Sequence, residues 1–244
     1  MQTAFFAPPS AVHGRRLVLP SAEARHATRA LRHGPGDEIF VVDGEGTRHR
    51  VRLDRVGEDK TVGTVLDTQH GTGEPSYELT VGLGLLKKRS RFETVLEKAV
   101  ELGVSRLVPL RTRYAEADIL KRERSKRILR AALKQSGRSR LPRLDAPASF
   151  EDLVDEVRED AFDRAFVAHR RRREPPDPSL ADALDEGDRP QRLAVLVGPE
   201  GGFSDNEVEA AERAGATVAT LGPRRLRAET AAMAATTAVM FAFS

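Results

Sequence analysis

The chain of 244 residues contains no cysteine. That absence excludes disulfides, iron–sulfur clusters, thiolate zinc sites and every cysteine nucleophile. Long apolar runs are also missing. The longest, Ala231 to Phe243, falls well short of the roughly 20 residues needed to cross a bilayer, so it reads as a buried helix and no membrane partner is expected. Met1 to Pro9 (MQTAFFAPP) lacks a basic stretch followed by a sustained apolar one, which predicts no leader and a cytoplasmic protein. The six histidines, His13, His26, His33, His49, His70 and His169, show no HExxH-type pairing, so no metal is expected. Neither G-x-G-x-x-G after a strand nor G-x-x-x-x-G-K-[ST] occurs, and Gly82-Leu83-Gly84 alone is a weak signal.

The net charge of +3 conceals an uneven distribution. Residues 1–75 carry ten Lys/Arg and ten Asp/Glu, residues 76–145 carry eighteen and eight, and residues 146–244 carry twelve and nineteen. A strongly basic middle segment in a nearly neutral chain points to a polyanion-binding face, with nucleic acid as the leading partner and a solvated basic helix as the alternative.

Two textures follow one another along the chain. Arg15–Leu19, Glu38–Asp43, Arg48–Val56 and Thr61–Leu66 read as short strands, with His26–Arg32 as a helical insertion. Their spacing predicts a small β-barrel domain over residues 1–73. Gly71–Ser76 (GTGEPS) reads as a linker. From residue 77 to 244 strands and helices alternate, which predicts an α/β domain with a parallel sheet covered on both faces. Strands are predicted at Leu79–Leu86, Arg106–Leu110, Arg164–Ala168, Leu193–Val197 and Thr217–Leu221. Helices are predicted at Arg91–Leu102, Arg122–Ser136, Phe150–Glu159 and Leu180–Leu184. A further helix, begun by a Ser204/Glu207 capping box, runs to about Arg213, and an Ala-rich helix closes the chain. Arg170–Arg173, followed by prolines, reads as an exposed loop.

Two of these strands end alike. LAVLVGPEGGFS (Leu193–Ser204) and TVATLGPRRLR (Thr217–Arg227) both run into Gly-Pro. A right-handed β-α-β connection puts both turns at one carboxyl edge, where open α/β sheets bind ligands. Pro199 and Pro223 remove amide donors, which suits a ligand without phosphates better than a dinucleotide. Arg224, Arg225, Arg227 and Glu229 crowd the second turn; the glutamate reads equally well as an ion-pair partner of those cations.

These segments, with RFETVLEKAVELGVSRLVPL (Arg91–Leu110), KQSGRSRLP (Lys134–Pro142) and HATRALRHGPGDEIFVVDGEG (His26–Gly46), resemble the ribosomal RNA small subunit methyltransferase E family of the SPOUT superfamily. The resemblance covers nearly the whole chain. It implies a PUA-like barrel that binds RNA, a C-terminal SPOUT domain with a trefoil knot, and a homodimer. It also implies S-adenosyl-L-methionine as cofactor and methylation of N3 of a uridine in 16S ribosomal RNA, free or in the small subunit. By the same carry-over Leu196, Gly198, Glu200, Gly201, Gly202, Leu221, Gly222, Leu226, Arg227 and Ala228 would line the cofactor site. Four positions depart from the family pattern. Ala4 stands before Phe5-Phe6 where an arginine is common, Arg225 where an aliphatic residue is usual, Tyr114 for a serine and Lys134 for a glutamate.

The missing cysteine removes pyrimidine carbon-5 and radical methylation, so the acceptor is a base nitrogen or a ribose oxygen. Attack by uridine N3 builds negative charge on O2 and O4, which arginine donors would stabilise. Arg227, Glu229 and Lys88 are the candidate catalytic residues, with Glu229 accepting the proton or orienting Arg227. Lys88, Arg91, Arg113, Gln135, Arg138 and Arg140 are the candidate RNA-binding residues, although Arg91 also suits pairing with nearby glutamates. Phe5 and Phe6 read as barrel core or dimer contact in preference to RNA stacking. A ribose 2′-O-methyltransferase acting on rRNA or tRNA, and a non-catalytic RNA-binding assembly protein, remain the alternatives.

Overall fold

A computed structural model describes residues 3–116, 120–171 and 174–243; of the predicted run Arg170–Arg173, Arg172 and Arg173 lie outside the described residues. The chain divides into two compact units, residues 1–74 with 129–141, and residues 75–128 with 142–244.

The first unit is a six-stranded mixed sheet. Its strands are β1 (Phe5–Phe6), β2 (Val12–His13), β3 (Arg16–Leu19), β4 (Glu38–Val42), β5 (Thr47–Arg55) and β6 (Thr61–His70), in the order β1-β4-β5-β6-β3-β2. Only β1 runs parallel to its neighbour. Register shifts between Arg50 and Val51 and between Leu53 and Arg55 bend β5 against β6. Alternation along the strands buries Leu17, Leu19, Ile39, Val41, Val51 and Leu53 on one side. Phe5 joins this core, whereas Phe6 is half-buried with the Arg130 guanidinium 4.9 Å from its ring centre. The helix predicted over His26–Arg32 begins earlier, as α1 (Ser21–Arg25), and continues through a wider turn at His26–Ala30 in which Leu31 N donates to His26 O.

In the second unit the parallel sheet is present. Its elements in chain order are β7 (Glu78–Gly84), α2 (Arg89–Glu101), β8 (Arg106–Arg111), α3 (Arg122–Ser136), β9 (Arg143–Leu144) and β10 (Ala148–Ser149). There follow α4 (Phe150–Arg158), β11 (Arg164–Ala168), α5 (Leu180–Asp185), β12 (Arg192–Val197), α6 (Asp205–Arg213), β13 (Thr217–Ala219) and α7 (Ala228–Phe243). From Leu129 onward α3 belongs to the first unit. The sheet order is β10-β8-β7-β12-β11-β13, every pairing parallel, with β9 also on β8.

Leu193 to Val197 are all buried, as expected for a central strand covered on both faces. α2, α5 and α7 cover one face. On the other, α4 and α6 add Phe150, Leu153, Val154, Val208 and Ala211 to a core with Val108, Val167, Leu196 and Val218. Capping boxes start α4 at Ser149 and α6 at Ser204, each serine accepting from the amide three residues on. Arg106 reaches from β8 to Asp145 and Glu156, anchoring α4 to the sheet.

Candidate active site

Because the strands are parallel, β11, β12 and β13 all end at one edge, and the chain leaving each of them lines a cleft of about 490 Å³. That volume lies within the range of small-molecule sites. The first turn is built by close approach. A Cβ on Gly198 would lie 2.7 Å from Gly202 C and 2.9 Å from Phe203 N, so only glycine lets the turn fold back on itself. Gly202 N closes it by donating to Pro199 O at 2.9 Å. The second turn needs Gly222 at φ +104°, where a side chain would be strained. Thr220 Oγ1 accepts from Gly222 N at 3.2 Å, and Arg170 donates to Pro223 O at 2.7 Å.

Gly198, Glu200, Gly201, Gly202, Leu221, Gly222, Leu226, Arg227 and Ala228 line this cleft. Leu196 does not. Its side chain is fully buried in the sheet core with Val108, Phe150 and Val167, because the last residue but one of β12 packs on the face covered by α4 and α6. His169 and Arg170 line the cleft and were not among the predicted site residues. They follow β11, which pairs with both β12 and β13 and therefore separates the two Gly-Pro strands. Their signal was a strand ending at Ala168; only the strand order turns that ending into a wall.

Charge in the cleft is lopsided. Arg170, Arg224, Arg225 and Arg227 line it, all exposed, with Glu200 as the one lining carboxylate among the described residues. Burial holds the His169 imidazole below its ordinary value, against the opposing pull of Asp205, so it is neutral at pH 7. Glu200 is engaged: its oxygens lie 3.5 Å from an Arg91 nitrogen and 3.4 Å from Lys87 N. Arg91 also reaches Glu229, Nε to Oε1 at 3.3 Å. One arginine thus joins the first turn to the first turn of α7, and Glu229 Oε2 is buried without a hydrogen-bond partner.

These contacts revise three predicted roles. Arg91 is ion-paired twice rather than presented as a free RNA contact. Glu229 does not line the cleft, because its carboxylate is engaged with Arg91. Arg138, in the first unit, is buried and donates twice to Glu74 Oε2, at 3.1 and 2.7 Å, so its charge is neutralised inside the fold. Lys88 is exposed at the N-cap of α2 and outside the cleft lining. Arg113 is exposed, its backbone N held by Glu207 Oε1 at 2.8 Å, which fixes this loop to the start of α6. Gln135 and Arg140 are exposed in the first unit, with Arg140 N donating to Glu74 Oε1 at 2.9 Å.

A family model described as an RNA methyltransferase domain matches residues 73–240. The chain is 32% identical over 230 residues to the ribosomal RNA small subunit methyltransferase E of Synechocystis, covering 91% of this chain and 72% of that one. To the protein of the same name from Aquifex aeolicus it is 30% identical over 239 residues, covering 93% and 95%. The solved structure of a ribosomal RNA small subunit methyltransferase E from Neisseria gonorrhoeae bound to S-adenosyl methionine superposes with a TM-score of 0.83 at 26% identity, covering 99% of this chain and 98% of that one.

Proposed function

The chain belongs to the RNA methyltransferase family, among the ribosomal RNA small subunit methyltransferase E proteins of the SPOUT superfamily, and from that premise we propose that it methylates N3 of a uridine in small-subunit ribosomal RNA with S-adenosyl-L-methionine as donor. The observation that carries this reading is the convergence of two Gly-Pro turns on one cleft whose prolines withhold the amides a phosphate cradle would need. Backbone groups of Gly198–Gly202 and Leu221–Gly222, with the Glu200 carboxylate, suit a ligand that carries a sulfonium and an ammonium but no phosphate. When bound, that cofactor supplies an electrophilic methyl group.

The protein must hold the acceptor base in line and stabilise charge on its oxygens. Arg227 is exposed at the cleft and is assigned that electrostatic role. Arg91 and Glu229 brace the two turns from behind, so Glu229 is a positioning residue in this reading. His169, kept neutral by burial, is the lining imidazole able to accept the N3 proton. Lys88, Arg113, Gln135 and Arg140 remain the proposed RNA contacts. Target N3 is hidden in Watson–Crick pairing, so the uridine is bound unpaired or flipped.

The same reading takes residues 1–73 as a PUA-like RNA-binding domain, residues 77–244, apart from the segment 129–141 that belongs to the first unit, as the methyltransferase domain with its C-terminal segment threaded as a trefoil knot, and a cytoplasmic homodimer as the working form. Supporting the dimer, α7 leaves Ala234, Thr237 and Ala238 half-buried on the face where Phe241 is 76% exposed. The deciding experiment incubates the protein with labelled S-adenosyl-L-methionine and small ribosomal subunits from a strain lacking the enzyme, then digests the RNA to nucleosides for mass spectrometry. Label in 3-methyluridine is expected. Label in a 2′-O-methylated nucleoside, or in large-subunit RNA, would overturn the substrate assignment.

A further inference from the structure

The first unit holds a second concavity, of about 550 Å³, lined by Arg15, Arg16, Asp54, Arg55, Lys60 and Thr64 together with two neighbours. Sheet register assembles it from three strands: Arg16 lies opposite Thr64, and Arg55 opposite Val62. All four Lys and Arg side chains are exposed. Asp54 is the one lining carboxylate, and it is occupied: Thr64 Oγ1 donates to it at 2.7 Å and Arg52 Nε lies 3.8 Å away. Among the described residues Arg16, Arg55 and Lys60 have no ion-pair partner, and Arg15 uses only Nε, toward Val65 O at 3.4 Å.

Several other cations of this unit have a carboxylate partner. Arg50 meets Glu38 at 3.0 Å, Lys134 meets Glu23 at 2.8 Å, Arg138 meets Glu74 at 2.7 Å, and Arg29 pairs with Glu58. Four cations without a carboxylate partner of their own thus share this one hollow. A cleft lined by one sign focuses its field on an anionic partner. Among the described residues no Phe, Tyr or Trp lines it and His13 is its one ring, so phosphate contacts dominate over base stacking there.

We infer that this groove binds the sugar–phosphate backbone of small-subunit ribosomal RNA, as a sequence-independent docking contact separate from the methyl-transfer cleft. The inference rests on the ribosomal RNA reading above. Phosphate contacts of this kind set register and orientation without reading bases, and they weaken steeply with salt.

Fluorescence anisotropy with a labelled fragment of small-subunit ribosomal RNA tests it, comparing the full-length wild type with the triple variant Arg16→Ala, Arg55→Ala, Lys60→Ala. Losing three phosphate contacts is expected to weaken binding at low salt by roughly tenfold to a hundredfold and to reduce the slope of log affinity against log salt by about 2 to 3. S-adenosyl-L-methionine affinity and the thermal transition stay at wild-type values. The double variant Arg16→Lys, Arg55→Lys is expected to keep the wild-type slope. An unchanged slope and affinity in the triple variant would overturn the groove, and so would an equal loss in the lysine variant. Because binding is the readout, failure of the uridine assignment leaves the groove testable. Normal methylation by a triple variant with an unaltered salt slope would remove the groove and leave the enzyme reading intact.

Discussion

Gly84→Ala tests whether the first Gly-Pro turn is held in place from below. Gly84 ends β7 and does not line the cleft. A Cβ built there would lie 2.4 Å from Pro199 Cδ, 2.5 Å from Pro199 N and 3.1 Å from Gly198 C. Ordinary van der Waals contact begins near 3.4 Å, so Pro199 or the end of β7 must move by about 1 Å, and overpacking of this kind costs about 1–3 kcal/mol. β7 is hydrogen-bonded on both sides, to β8 and β12, whereas Pro199 lies in a turn, so the turn yields. If bound S-adenosyl-L-methionine requires the undisplaced turn, the strain appears as a weakening of roughly 5- to 150-fold in its affinity. Isothermal titration measures that loss, and calorimetry of the free protein is expected to show a shift of no more than about 2–12 °C, since roughly 2–4 °C accompanies each kcal/mol in a chain of this size. Gly34→Ala, where a Cβ meets nothing within 4 Å, is the control and should change neither quantity. Wild-type cofactor affinity in folded Gly84→Ala would refute the claim that the turn between Gly198 and Gly202 forms the cofactor site.

Arg227→Ala is expected to lower kcat for methylation roughly 100- to 1000-fold at saturating cofactor, the usual loss of one oxyanion donor; a wild-type rate would remove its electrostatic role. Arg91→Ala separates a brace from an RNA contact. It leaves the largely buried Glu229 without its cation, so the cofactor KM should rise about tenfold or more while the salt slope of RNA binding stays unchanged, and the reverse pattern would restore the RNA role. Acid stability follows from Asp145. Burial pushes its carboxyl up, but hydrogen bonds from Arg143 and Arg106 outweigh this and hold it below the ordinary carboxylate value. A carboxylate lowered in the folded state contributes stability above its unfolded value, near 3.9, and loses it as pH falls through the lower folded value. Thermal melts between pH 6 and 2.5 should therefore show Asp145→Asn flattening the acid decline; an unaltered decline would refute that assignment.

Much of the second unit was legible because its signals are local. The buried run Leu193–Val197, the spacing of Phe92, Val95, Leu96, Ala99 and Val100, and the Ser204/Glu207 box each specify an element from its own residues. Two-residue strands such as β1 and β10 carry no such signal, since pairing with β4 and β8 is what makes them strands. Ion pairs show the same limit. Arg91 was placed on a helix near glutamates of its own element, yet its partners are Glu200 and Glu229, more than a hundred residues away. Arg138 looked like one more cation in a basic segment until Glu74 was found beside it.

From the sequence alone come the absence of cysteine chemistry, the alternation of strand and helix, and the two turns that must end parallel strands at a common edge. These are matters of composition and local backbone chemistry, which neighbours in the chain settle among themselves. Tertiary structure alone placed β11 between β12 and β13, which brought His169 and Arg170 into the cleft. It withdrew Leu196 into the core and Glu229 into a brace, and it gathered Arg15, Arg16, Arg55 and Lys60 into one hollow. Strand order and register are chosen by how whole faces bury apolar area together, so residues far apart in sequence share a site only once that packing is complete.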